Sequence, residues 1–410
     1  MDVSNFALRT AAATISTAAL LASACTFAGL GNYDVETCAR PRGVSMTVQK
    51  VGAVSDVTFA SASGKNVIGS FAANVTGGAC IEAVRSGVAG STMASGFLNL
   101  NCSFLADETN LVPRQPMVVP LSGGYAAAII ATTAPCTAGA LIYRFNAPGV
   151  AGKAGVPCAM SGAALPAIAP LSDGSTAIVA WYATSLDSRS DPIGSCTGAR
   201  AAPLNASVVT SANGSPTLGA TVDLGDTGIS VRAPAVAPLP GQVQAIIAAP
   251  LGNDVGVWTI GVSTSPGQPI TIPGLAGARA VALAIASDNS GRIAVVAEIG
   301  CAPQSIALAV GTLAGGFSNV AIVAAADGAL AVGPSVAWID GQNRWVVAWV
   351  SATGGAHVLT RSFDATGSAV GAVVDPAMSA TGAAVTSGGD VIGFVASSSS
   401  FVDTSLGCGQ

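Results

Sequence analysis

Histidine occurs once in these 410 residues, as His357. A Ser-His-Asp triad or a histidine-rich metal centre therefore has a single imidazole to draw on. No G-x-S-x-G elbow, phosphate loop or dinucleotide fingerprint stands in the strand-to-helix setting that such motifs need. Charged residues make up 9% of the chain, against roughly 25% in an ordinary soluble domain. General acid–base chemistry draws on His, Asp and Glu, so their scarcity argues against an enzyme. The net charge of −5 supplies neither a nucleic-acid footprint nor a polybasic cluster for anionic lipid. Aromatics, at 5%, are too few for the girdles of an outer-membrane barrel. Apolar runs beyond residue 40 are short and cut by Gly, Pro, Ser and Asn. None reaches the about twenty residues of a spanning helix, although mean hydropathy is +0.61.

A short phrase is abundant instead. Two β-branched residues and a tiny one recur as Val67-Ile68-Gly69, Ile129-Ile130-Ala131, Ile178-Val179-Ala180, Ile246-Ile247-Ala248, Val295-Val296-Ala297, Val346-Val347-Ala348 and Val391-Ile392-Gly393. Successive copies start 62, 49, 68, 49, 51 and 45 residues apart. A period near fifty in a strand-rich pattern predicts radially repeated sheets.

One unit is readable from Pro334 onward. Strands are predicted over Ser335–Ile339, Trp345–Val350, His357–Phe363 and Ala369–Val374, with Asp/Asn/Gly turns between them, an antiparallel meander. The first strand and its prolines recur at Pro116 to Leu121, Pro166 to Leu171 and Pro234 to Leu239. Proline cannot donate to a ladder and belongs on an edge, as the innermost strand of a propeller blade is. The phrase then falls on the second strand, covered on both faces, with its tiny residue letting neighbouring sheets approach. The fold class is all-β: a β-propeller of seven four-stranded blades starting near residues 50, 112, 164, 231, 279, 332 and 382. The last unit is one strand short, and Val44 to Lys50 completes it and closes the ring. Six blades with an outlying hairpin, or a pair of β-sandwiches, are the alternatives.

The first 24 residues read as a signal peptide, with Arg9 ahead of a weakly hydrophobic stretch from Ala11 to Leu21. Residues 25–43 form a linker and 44–410 the propeller. Of nine cysteines no two stand in C-x-x-C spacing, so no metal is expected. An odd count in an exported chain assigns one cysteine another task, which leaves Cys38, Cys80, Cys102, Cys136, Cys158, Cys196, Cys301 and Cys408 as disulfide candidates. Cys80–Cys102, Cys136–Cys158 and Cys38–Cys408 are the favoured pairs.

The run Leu20-Leu21-Ala22-Ser23-Ala24-Cys25 resembles a bacterial lipobox, with Ala22 where Leu is usual. The following Gly29 to Cys38 is similar to the stretch after the lipid cysteine of myxobacterial secreted lipoproteins. These resemblances imply a diacylated Cys25 and a lipid anchor in the outer membrane of a bacterial envelope, secretion being the alternative. They imply nothing catalytic.

Few residues are candidates for chemistry. Glu298 takes the phrase slot held by Trp181 and Trp349, and Glu82 lies on a predicted strand; both read as structural charges. The tryptophans read as core. The most polar stretch holds Asp187, Arg189 and Asp191 in the long third-repeat insertion. It lacks the ligand set of a calcium loop and reads as a contact loop. The functional expectation is a monomeric, non-enzymatic envelope lipoprotein without cofactor, binding a protein or polysaccharide and no nucleic acid. A propeller hydrolase or lyase and a surface adhesin are the alternatives.

Overall fold

The structure, a computed structural model, describes strands from Arg40 to Ser405. Side chains are described over 166–183, 202–210, 217–227, 233–262 and 266–300, and, apart from a few single positions, over 304–324, 331–351 and 355–393.

Local chemistry sets the strands. β-branched residues suit a pleated, buried surface, and Asp, Asn, Ser and Gly suit the turns between strands. The described strands form seven antiparallel sheets. The first contains Ala53–Ser61, Val67–Val75, Gly78–Arg85 and Phe97–Leu100, and the second Arg114–Leu121, Gly124–Ala131, Gly139–Asn146 and Lys153–Ser161. The third runs Ala163–Pro170, Ala177–Ala183, Ala202–Ala212, and its fourth place is shared by Ser215–Leu218 and Val222–Thr227. The fourth is Ala235–Pro238, Gln244–Leu251, Asp254–Gly261 and Ile270–Ile272, and the fifth Ala278–Ile285, Arg292–Ile299, Ser305–Thr312 and Gly316–Ala324. The sixth is Ala331–Ile339, Arg344–Ser351, His357–Phe363 and Ala369–Val374. In the seventh, Gly382–Val385, Asp390–Val395 and Ser400–Ser405 are joined by Arg40–Thr47, paired antiparallel to Ser400–Ser405. Each sheet touches the next in chain order, and Gly382–Val385 of the seventh touches Ala53–Ser61 of the first. The expected all-β class and its antiparallel four-stranded repeat are thus present.

Every copy of the phrase lies on the second strand of its sheet. Ile178, Val179, Ala180, Ile246, Ile247, Ala248, Val295, Val296, Ala297, Val346, Val347 and Ala348 are fully buried. Burying each Val or Ile stabilises by about 1.5–3 kcal/mol, so these strands are the main apolar reservoir. Their faces alternate between neighbours. Val346, Ala348 and Val350 pack toward the seventh sheet with Val385 and Val391, while Trp345, Val347 and Trp349 pack toward the fifth with Val296 and Leu308. The tiny third residue is needed for close approach at Gly393. A Cβ there would lie 2.7 Å from both the Ala380 Cβ and the Met378 Sδ.

The prolines sit where an edge strand tolerates them. First strands pair on one side only. The Leu171 and Leu239 amides donate to Thr176 and Gln244 carbonyls at 2.7 and 2.9 Å. Alternation of the antiparallel ladder then turns the nitrogens of Pro170 and Pro238 away from the partner strand, where no donor is required.

One sequence alignment of the repeat is corrected. Four residues separate Leu171 from Thr176, Leu239 from Gln244 and Ile339 from Arg344, but five separate Ala286 from Arg292. The longer turn displaces the fifth phrase by one position. Val295 is therefore equivalent to Val347, and Ala297, not Glu298, occupies the place of Trp349. Glu298 matches Val350 and faces the sixth sheet.

Candidate functional site

The middles of the second strands are apolar and buried, so polar side chains concentrate at the strand ends and turns. Two groups stand out among the described residues.

The first surrounds Glu298, at the end of strand Arg292–Ile299. Its side chain is 1% exposed. One carboxylate oxygen accepts from Gln304 Nε2 at 3.2 Å, the other from the Gly333 amide at 3.1 Å on the first strand of the sixth sheet. Glu298 pairs across the ladder with Ala280, and a bulge between Ala278 and Ala280 places Arg279, also buried, beside that pair. A buried carboxylate is tolerated when hydrogen-bonded and accompanied by opposite charge. With both oxygens engaged across two sheets, Glu298 acts as an inter-sheet clasp. This agrees with its reading as a structural charge, although the sequence signal placed it on the wrong face.

The second group lies at the opposite end, where the first-to-second-strand turns of the fifth and sixth sheets meet. Trp338 and Trp345 flank a turn through Asp340–Gln342, with Asn343 in the left-handed region at φ 50°. They are cross-strand partners on one face, and their rings meet edge-on, centroids 4.8 Å apart at 63°. The Arg292 guanidinium of the fifth sheet stacks 4.7 Å above the Trp338 ring. Arg292 pairs with Asp288, and its Nε donates to the Ser290 hydroxyl at 2.9 Å. Hydrogen bonding from Ser290, joined by the Arg292 charge, outweighs slight burial and holds the Asp288 carboxyl below the ordinary aspartate value. The Ser287 hydroxyl bridges the two turns by donating to the Asp340 carboxylate. Beneath this polar cover, the indole N–H groups of both Trp338 and Trp345 are buried without a hydrogen-bond partner. Gln342 Oε1 and Arg344 Nη1, on the same turn, are likewise buried and unpartnered.

The sequence placed Trp338 and Trp345 in the core, and they are 2% and 0% exposed. It did not foresee their association with Arg292 and Asp288. The only signal was two tryptophans flanking a four-residue Asp-Gly turn. Trp181, Trp258 and Trp349 are buried as expected. His357 opens strand His357–Phe363, and its backbone bridges to Ser379. Cys80 and Cys158 fall on strands Gly78–Arg85 and Lys153–Ser161, but their side chains lie outside the described residues, as does that of Glu82. Cys25, Cys38, Cys102, Cys136, Cys196, Cys301 and Cys408, and the loop residues Asp187, Arg189 and Asp191, also lie outside them. Among the described residues no group of three His, Cys, Asp or Glu side chains gathers to hold a metal ion, and no helix is long and apolar enough to cross a membrane.

No family model and no curated protein matches the chain in sequence. Several solved structures resemble it. A triple arginine-to-alanine mutant of AofleA from Arthrobotrys oligospora matches over 83% of this chain and 91% of its own, at 10% identity and a TM-score of 0.46. The β-propeller domain of the Trilobed protease from Pyrococcus furiosus matches over 69% and 78%, at 10% identity and a TM-score of 0.39. The NanB sialidase from Streptococcus pneumoniae matches over 88% and 70%, at 13% identity and a TM-score of 0.43. A protease domain and a sialidase stand side by side in this set, and likeness at this level transfers no activity to the present chain.

Proposed function

We propose that the chain is a seven-bladed β-propeller closed by its N-terminal strand. It is exported, anchored by lipid at Cys25 to the bacterial outer membrane, and serves as a non-enzymatic module that binds a protein or polysaccharide. The observation that carries the binding-module reading is the division of the molecule. The middles of the second strands are apolar and buried on both faces, so recognition is left to the strand ends, turns and loops. The most conspicuous buried carboxylate supports the non-enzymatic reading, because both Glu298 oxygens are engaged in hydrogen bonds within the fold. Asp187, Arg189 and Asp191 remain the proposed contact loop, and the eight cysteines after Cys25 remain disulfide candidates, with Cys38–Cys408 joining the two ends of the domain.

Two measurements test this. Intact mass of the membrane-extracted protein is expected to show a diacylglyceryl adduct on Cys25; a lipid-free product beginning at or after Cys25 refutes the anchor. Pull-down from envelope extracts with residues 26–410 is expected to retain a partner or a polysaccharide. Retention of neither, together with hydrolysis of a peptide or glycan substrate, would replace the binding reading with the hydrolase one.

A further inference from the structure

We propose that the turn end between the fifth and sixth sheets is a binding site for a neutral saccharide, closed in this structure by the Arg292 side chain. The inference deepens the binding-module reading and rests on it, replacing a general protein or polysaccharide partner with a chemistry and a place.

The starting point is a hydrogen-bond deficit. Trp338 and Trp345 are almost wholly buried, lie side by side, and each keeps an indole N–H without an acceptor. Native interiors leave few such donors unpaired, and indole N–H groups in particular find partners when buried. Two on adjoining buried rings, with the Gln342 Oε1 acceptor of the same turn bonded to neither, call for an acceptor that enters from outside. The cover over them is built from weak contacts. The Arg292–Asp288 pair is a quarter or more exposed on both sides, and exposed ion pairs contribute little to stability. The Ser287–Asp340 bridge between the turns is exposed too. Swinging Arg292 off the Trp338 ring therefore costs one exposed pair, the exposed hydrogen bond from Arg292 Nε to Ser290 and one cation–π contact. It uncovers the face of the Trp338 ring beside the carboxylates of Asp288 and Asp340.

The charges choose the ligand class. Arg292 and Arg344 are two positive groups, and Asp288 and Asp340 are two negative ones. The balanced rim offers an anionic ligand no net attraction. A sugar hydroxyl is both donor and acceptor. It can accept from the indole N–H groups and from Arg292 while donating to Asp288 and Asp340, and the sugar's apolar face can take the place of the guanidinium on the Trp338 ring.

Tryptophan emission reads the site directly. The full chain, held in a detergent without a sugar headgroup, is titrated with neutral glucan, mannan and galactan oligosaccharides and with a uronate oligosaccharide. A saturable emission change is expected with at least one neutral oligosaccharide and none with the uronate. Trp338→Phe and Trp345→Phe each remove one donor and trim a buried ring. Each is expected to lower the melting temperature through the cavity left behind and, at a temperature where the variant is folded, to weaken binding by about fivefold, the loss of one neutral hydrogen bond. No saturable change, a response only to the uronate, or affinity unaltered in both variants overturns the site. If the oligosaccharides fail while the envelope pull-down retains a protein, the saccharide site falls and the binding module stands. If both fail, the module reading falls with it.

Discussion

At the residue scale, the buried carboxylate of Glu298 is the most exposed to test. Glu298→Ala strands two donors, Gln304 Nε2 and the Gly333 amide, and removes the negative charge beside buried Arg279. A loss of about 3 kcal/mol in chemical denaturation is expected. Glu298→Gln, which keeps one acceptor, should lose less; equal stability of all three forms would show that the clasp does nothing. Two glycines make a second comparison. A Cβ on Gly311 would lie 2.2 Å from the Gly316 carbonyl oxygen and 2.8 Å from the Phe317 Cα, both backbone atoms, whereas one on Gly393 meets side chains, including the flexible Met378. Gly311→Ala should therefore destabilise by about 3 kcal/mol and Gly393→Ala by about 1–2 kcal/mol, an order that melting curves can reverse. The sequence revealed Gly393 as the tiny end of a phrase, but Gly311 carried no signal. Its constraint comes from a bulged pairing with the next strand, a contact that composition does not encode.

At the element scale, the turns do by hydrogen bonding what the second strands do by burial. Asp364 accepts from the amides of Thr366 and Ser368 at 2.8 and 3.0 Å and from the Thr366 hydroxyl at 2.7 Å. Burial alone would raise its pKa, but these bonds together outweigh it and hold the carboxyl below its ordinary value of 3.8. Asp173 is lowered in the same way by Thr176 and Ser175, against the same opposing burial. A carboxyl with a lowered folded pKa stabilises above its unfolded value and loses that contribution as pH falls through the folded one. Melting temperature should thus decline as pH drops below about 4. Asp364→Asn should melt lower than the parent at pH 7 and converge with it once the parent carboxyl is protonated; a constant gap at every pH would refute the assignment. These hairpins were legible because Asp, Asn and Gly mark turns directly. Strands His357–Phe363 and Ala369–Val374 fall where the spacing put them. The side-to-side order of the fifth copy was not legible, because a turn longer by one residue rotates the phrase without changing its letters.

At the scale of the whole molecule, the pairing of Arg40–Thr47 with Ser400–Ser405 spans the greatest sequence separation among the described strand pairs. It was legible only indirectly. The seventh unit is one strand short, and an unassigned apolar-polar strand stands near the N-terminus, read three to four residues late as Val44 to Lys50. The register now pairs Met46 with Phe401 and Thr47 with Ser400. Without Arg40–Thr47, Ser400–Ser405 keeps one ladder partner and becomes an open edge, with unpaired amides of the kind folded sheets are built to hide. The strand that ties the ends together also closes the largest loop, so its contribution falls on the slow, non-local part of folding. Deletion of residues 40–47 is expected to leave the packing among the third to sixth sheets, whose shared clusters contain no residue of the seventh, and to loosen the seventh. Hydrogen exchange should accelerate at Val391 to Ser405 first, refolding should slow, and the unfolding transition should split or broaden. A deletion variant with unchanged exchange at Ser400–Ser405 and a single transition at the parent temperature would mean that the seventh sheet is held by its contact with the sixth, and that the proposed ring does not depend on its N-terminal strand.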